Sequence, residues 1–135
     1  MNNELMIRIL WALGLTLAGL GVYHLITRLV LTRAAQAASL PQTRGRPALL
    51  YFTTPDCSPC RTVQRPAVLK IKQTLGEGLE VVEIDAQDQP EMAQAWGVLS
   101  VPTTFILDRS GKPLHVNHGV TSAEKLMRQL ESALA

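Results

Sequence analysis

The sequence predicts an α/β fold, a mixed sheet of about four strands flanked by helices, preceded by one N-terminal transmembrane helix. Three observations carry this prediction. Beyond residue 48, short apolar runs and amphipathic stretches alternate in the order strand-helix-strand-helix-strand-strand-helix. Residues 9–23 contain no charge. The only two cysteines of the chain, Cys57 and Cys60, stand three positions apart just after the first apolar run.

The N-terminal segment comes first. An apolar stretch of about 20 residues spans a bilayer core as a helix, and residues 5–31 supply one. Arg8 and Arg28 lie near its ends, where long cationic side chains snorkel to headgroups. Trp11 and Tyr23 occupy interfacial positions. Residues 1–31 are therefore read as an anchor and the chain as a single-pass protein of the cell membrane. A cleaved signal is the rival, because Ala35-Gln36-Ala37 is a small-x-small site. Against it, Glu4 offsets Arg8 in the head region and the apolar run outlasts a signal core. A buried soluble helix is disfavoured by apolar residues on every face. Arg28, Arg33, Arg44 and Arg46 follow the span and Arg8 alone precedes it, which by the positive-inside rule puts the C-terminal domain in the cytoplasm. The outward orientation is kept as an equal alternative.

Residues 32–47 lack periodicity and read as a tether, with continued helix over 34–38 and interruptions at Pro41, Gly45 and Pro47. The domain proper spans 48–135. Residues 48–53 are apolar on both faces, as in a buried strand. Residues 58–75 form a helix with Val63, Leu69 and Ile71 among its apolar positions, Pro66 bending it, and Gly76 and Gly78 ending it. A second strand covers 79–84, with Glu80 and Glu83 solvated and Asp85 opening a loop or capping. A short helix covers 90–96, with Pro90 in its first turn. Strands 103–107 and 113–118 flank the turn Asp108-Arg109-Ser110-Gly111. The last helix covers 121–134, capped by Thr121 or Ser122, with Glu124 early and Leu126, Leu130 and Leu134 on one face. Trp96 packs on the sheet, and Met92 and Met127 fill the core. The first crossover predicts parallel strands and the tight turn an antiparallel pair.

Net charge is +2 and the arginines are scattered without interleaved aromatics, too little to argue for nucleic acid, and no nucleic acid is expected as a partner. Two cysteines make no disulfide framework, and a pair three apart closes almost no loop, so a structural bridge would stabilise little. Sulfurs placed where a strand opens into a helix meet unsatisfied N–H groups and the positive end of the dipole, which stabilise a thiolate. That arrangement suits a cycling dithiol. A zinc site from Cys57, Cys60, His115 and His118 is the alternative, but histidines three apart on a strand face opposite ways. No metal and no cofactor is expected, and no redox donor is specified.

Three linked segments then carry a resemblance. Leu50-Tyr51-Phe52-Thr53-Thr54-Pro55-Asp56-Cys57-Ser58-Pro59-Cys60 comes first. Val82-Glu83-Ile84-Asp85 with Trp96-Gly97-Val98-Leu99-Ser100-Val101-Pro102-Thr103 is the second. Phe105-Ile106-Leu107 with Gly111-Lys112 and Gly119 is the third. Together, residues 48–135 resemble the thioredoxin-fold family, and the whole chain resembles a membrane-anchored thioredoxin-like protein. The resemblance implies a thiol–disulfide oxidoreductase with Cys57 as exposed nucleophile and Cys60 as resolving thiol. It implies protein disulfides or dithiols as substrates, bound at Val101 and a cis Pro102 and beside Ser58 and Pro59, whose turn geometry Pro59 restricts. The backbone at Val101 would pair with an extended substrate strand. Arg61 adds positive potential near the thiolate or is simply solvated.

The chain departs from the family at five places. Asp56 stands where tryptophan is usual, and a carboxylate there opposes the thiolate. Tyr51 replaces the buried acid, and Val81 its lysine neighbour. Pro66 falls one residue late. The family's first strand and helix are missing, with the tether in their place. Tyr51 and Val81 keep a second reading in view, a non-catalytic module that uses the groove beside Pro102 to hold a peptide.

Overall fold

The computed structural model describes residues 2–36 and 43–135. The tether over 37–42 and the cleavage-like site at Ala37 lie outside the described residues. The elements are α1 (Asn3–Gln36), β1 (Ala48–Thr53), α2 (Arg65–Leu75), β2 (Glu80–Asp85), α3 (Pro90–Ala95), β3 (Thr103–Leu107), β4 (Pro113–His118) and α4 (Ala123–Leu134).

Strand β1 is buried at all six positions, as its two-faced apolar sequence requires, and it sits inside the sheet order β2-β1-β3-β4. It runs parallel to β2 and antiparallel to β3, and β3 is antiparallel to β4. Alternation sorts the side chains into two layers. Leu50, Phe52, Phe105, Leu107 and Val116 face one side, where Trp96 packs on them. Leu49, Tyr51 and Ile106 face the other, under Val68 and Ile71 of α2 and Leu126 and Leu130 of α4. Trp96 meets Phe105 edge-on with ring centroids 5.1 Å apart.

Helix α1 is long and apolar enough to cross a membrane, with mean hydropathy 1.9. It runs five residues past the expected end of the span. Its last turns are not free. Val30 is buried in the Trp96 layer and Leu31 packs against it. A Cβ at Gly97 would sit 3.6 Å from Val30 Cγ1, and Gly97 itself has φ +70°. The end of α1 thus packs on the Trp96 face of the sheet through Val30 and Leu31, two residues that the sequence reading placed in the anchor.

The helix that carries Cys60 also differs. It starts at Ser58, passes through a π turn at Cys60–Gln64, and continues as α2 with Pro66 in its first turn. Arg65 N–H donates to Cys60 O, five residues back. The π turn takes up the residue that puts Pro66 one place late; without it each later side chain would rotate by about 100°. Val68 and Ile71 therefore face the sheet, whereas Val63 and Leu69 are exposed. In α4 the buried set is Leu126, Leu130 and Ala133, and Leu134 is only half-buried, because a 3.6-residue period reaches 133 before 134. Strand β2 is shifted one residue along from the expected 79–84. Ser122 is the cap, accepting from Lys125 N–H at 3.3 Å. Asp85 Oδ1 accepts from Gln87 N–H at 2.8 Å. Glu80 is half-buried, and Glu83 is exposed and paired with Arg65. In the β3–β4 turn Asp108 Oδ1 accepts from Ser110 N–H and Lys112 N–H, each at 2.9 Å.

Candidate active site at the Cys57–Cys60 turn

Strand β1 ends at Thr53 and the chain turns over Thr54-Pro55-Asp56, with Cys57 N–H donating to Thr54 O at 3.2 Å. The helix then begins at Ser58, so both sulfurs stand at its mouth. Cys57 and Cys60 are joined as a disulfide with Cα atoms 5.3 Å apart. Cys60 N–H donates to Cys57 Sγ at 3.2 Å. Cys57 is 9% exposed and Cys60 fully buried, so an incoming group meets Cys57 first. Ser58 and Pro59 are exposed beside it, and Ser58 O accepts from Thr62 Oγ1 at 3.0 Å.

Val101 packs into the same apolar cluster as both cysteines. The Val101–Pro102 peptide is cis. Pro102 is buried at the start of β3, where Thr103 lies opposite Phe52 of β1. Its carbonyl accepts from Gly119 N–H at 2.8 Å. The structure thus brings together Cys57, Cys60 and Val101, with Ser58, Pro59 and Pro102 flanking them. Val101 and Thr54 also line a groove of about 550 Å3 that continues over Leu99 and Gln94 to Arg33 of α1. On the other side, Thr54 and Pro55 line a cavity of about 460 Å3 that holds Arg61, Arg65, Glu83 and Asp85.

The histidines are placed elsewhere. His115 is half-buried with Nε2 3.2 Å from Ser132 Oγ, and His118 is exposed. Among the described residues no three of His, Cys, Asp and Glu are grouped to hold a metal.

Tyr51 has a role that replacement alone did not suggest. It is buried, and its hydroxyl donates to Cys60 O at 2.9 Å, a carbonyl that also accepts from Arg65. Burial, with Glu83 adding to it, raises the Tyr51 pKa above the ordinary phenol value, so at neutral pH the group is a donor and no base. Gln64 carries no motif of its own in the sequence. Its buried amide donates from Nε2 to Thr121 O at 3.1 Å and accepts from Thr121 N–H at 2.7 Å. The one signal for it in the sequence is the late proline.

The Thioredoxin family model matches residues 29–132. The chain belongs to the thioredoxin family. The match begins inside α1, one residue before the valine that packs under Trp96. Cys57 and Cys60 are the C-x-x-C pair of this thioredoxin-family chain. It is 34% identical over 89 residues to Thioredoxin Y, chloroplastic, of Oryza sativa subsp. japonica, covering 66% of this chain and 52% of the rice protein. The chain thus spans about half the length of that relative. It is 26% identical over 106 residues to Thioredoxin of Bacillus subtilis (strain 168), covering 78% of this chain and 100% of that one. A solved thioredoxin family protein from Chlorobium tepidum TLS, described as a thiol:disulfide interchange protein, shares the fold. It matches with TM-score 0.58 at 23% identity, over 69% of this chain and 83% of that chain.

Proposed function

We propose that this chain is a membrane-anchored thiol–disulfide oxidoreductase that exchanges its Cys57/Cys60 dithiol with protein disulfides. One observation carries the reading: Cys57 Sγ sits at a helix mouth, accepting a backbone N–H, at the surface edge of a pair whose other sulfur is fully buried. A thiolate at Cys57 is stabilised there by the N–H groups and the dipole. It attacks one sulfur of a substrate disulfide, forming a Cys57–substrate bond and releasing the other substrate sulfur as thiolate. The Cys60 thiolate then attacks Cys57 Sγ, which re-forms the intrachain disulfide and releases the second substrate thiol. The two electrons that reduce the substrate come from the dithiol.

In this reading the backbone at Val101 pairs with an extended substrate segment, Pro102 holds that turn, and Ser58 and Pro59 edge the groove. Helix α1 anchors the domain in the cell membrane as a single pass. Two features favour the binding-module alternative over catalysis: Tyr51 offers no proton acceptor below Cys60, and Asp56 opposes the Cys57 thiolate.

Turnover separates the two. Insulin disulfide reduction should vanish in Cys57→Ser, and Cys60→Ser should accumulate mixed disulfides. Reduction that survives Cys57→Ser overturns the assignment, and binding without turnover in the unaltered chain selects the module. Retention in the membrane after an alkaline carbonate wash supports the anchor; release into the wash refutes it.

A further inference from the structure

We infer that Gln64 is a positioning residue for substrate docking: its amide locks the helix bearing the cysteines to the segment that holds the Pro102 turn. The inference rests on the reading of Val101–Pro102 as the docking edge. Thr121 lies between β4 and α4, in neither helix nor strand, yet it is 4% exposed. A buried backbone N–H and C=O need partners. Gln64, at the end of the π turn and 57 residues away in sequence, supplies both at once with its two amide atoms. Two residues before Thr121, Gly119 N–H donates to Pro102 O at 2.8 Å, and Thr121 Oγ1 bonds back to Gly119 O at 3.4 Å. A continuous set of bonds therefore runs from the turn that contains Cys60, through Gln64, Thr121 and Gly119, to Pro102.

An apolar side chain here would leave the buried Thr121 N–H and C=O unpaired, so the amide stabilises the fold as well. What it adds beyond that is direction. Two antiparallel bonds to one backbone unit fix both the spacing and the tilt of the Gly119–Thr121 segment against the helix. Through Pro102 they fix the Val101 backbone relative to Cys57. A protein disulfide that docks as an extended segment uses both Val101 and Cys57 and so feels this spacing. A small disulfide needs only the Cys57 sulfur.

The test uses the full chain in detergent micelles, with dithiothreitol as reductant and two substrates, insulin and 2-hydroxyethyl disulfide. In Gln64→Met the ratio of kcat/KM for insulin to that for hydroxyethyl disulfide should fall on the order of five- to tenfold, most of it as a rise in the insulin KM. A merely structural role lowers both activities together and leaves the ratio unmoved, which overturns the inference. Pro102→Ala separates this from the docking reading. A ratio that falls in Pro102→Ala but not in Gln64→Met overturns the lock alone. A ratio unmoved in both overturns the docking reading and the inference with it. Should Gln64→Met fail to fold, amide exchange in the unaltered chain decides. Slow exchange at Thr121 and Gly119 supports the lock, and exchange at the rate of an exposed loop overturns it.

Discussion

Removing one oxygen from the centre of the domain tests what Tyr51 does. Tyr51 is 1% exposed and packs between β1 and the helix that carries Cys60, while its hydroxyl donates to Cys60 O and lies beside the Thr53 side chain. Tyr51→Phe keeps the ring and deletes that bond. The carbonyl left behind keeps its second donor, Arg65 N–H, so the variant creates no orphaned acceptor. The expected cost is therefore that of one ordinary buried hydrogen bond, about 1 kcal/mol, and not the larger penalty of an unsatisfied group. For a folded unit of about 100 residues that is roughly 4–8 °C in Tm. Urea unfolding of the oxidised full chain in micelles should show a lower midpoint with an unchanged slope. The pH dependence supplies the sign. Because the folded pKa lies above the unfolded value of 10.0, stability is complete below pH 10.0 and falls as pH rises through that value toward the folded pKa. Tyr51→Phe should lack this alkaline loss, so the difference between the two proteins narrows above pH 10.0. The variant should also leave the pH profile of insulin reduction between about pH 6 and 8 in place, since a neutral phenol moves no proton there. A loss above about 3 kcal/mol, an alkaline slope that persists, or a shifted neutral profile would each refute the reasoning.

Three further outcomes follow from the packing. Val30→Ala should destabilise the domain by about 1.5–3 kcal/mol by opening a gap beneath Trp96, seen as a red-shifted, more quenchable tryptophan emission; no change refutes the seating of α1. Gly97→Ala should cost about 1 kcal/mol from its left-handed backbone, since Val30 stands at ordinary contact distance, and a loss beyond about 3 kcal/mol contradicts that spacing. Burial, with Lys125 nearby, lowers the His115 pKa below its ordinary 6.5, so stability is complete above pH 6.5 and is lost as pH falls through it, because the unfolded chain takes up the proton first. His115→Gln should flatten that acid slope in urea titrations at pH 5 to 7, and an unchanged slope rules the group out.

Much of the fold was legible because its signals are local. Residues 48–53, 103–107 and 113–118 are apolar runs closed by turn residues, and they appear as β1, β3 and β4 with the same limits. The cysteines at a strand-to-helix junction and the Val101-Pro102-Thr103 segment were equally readable. The misses share a cause. A period of 3.6 places Val63 and Leu69 among the apolar positions of the helix that carries Cys60, and a π turn breaks that period without changing any residue type. Val30 was one aliphatic residue in a long apolar run, and hydropathy does not separate a residue facing lipid from one facing tryptophan. Gln64 is polar, and its burial depends on a backbone unit 57 positions away. No window of sequence holds both.

The seating of Val30 also sets where the domain can be cut. A chain begun at Ala48 would lose the wall behind Trp96 and present that indole, with Phe52 and Phe105 beneath it, to water as a sticky surface. A fragment that opens near residue 29 keeps the plug and sheds most of the greasy rod. The same joint fastens the sheet to the end of that rod through Val30 and Leu31.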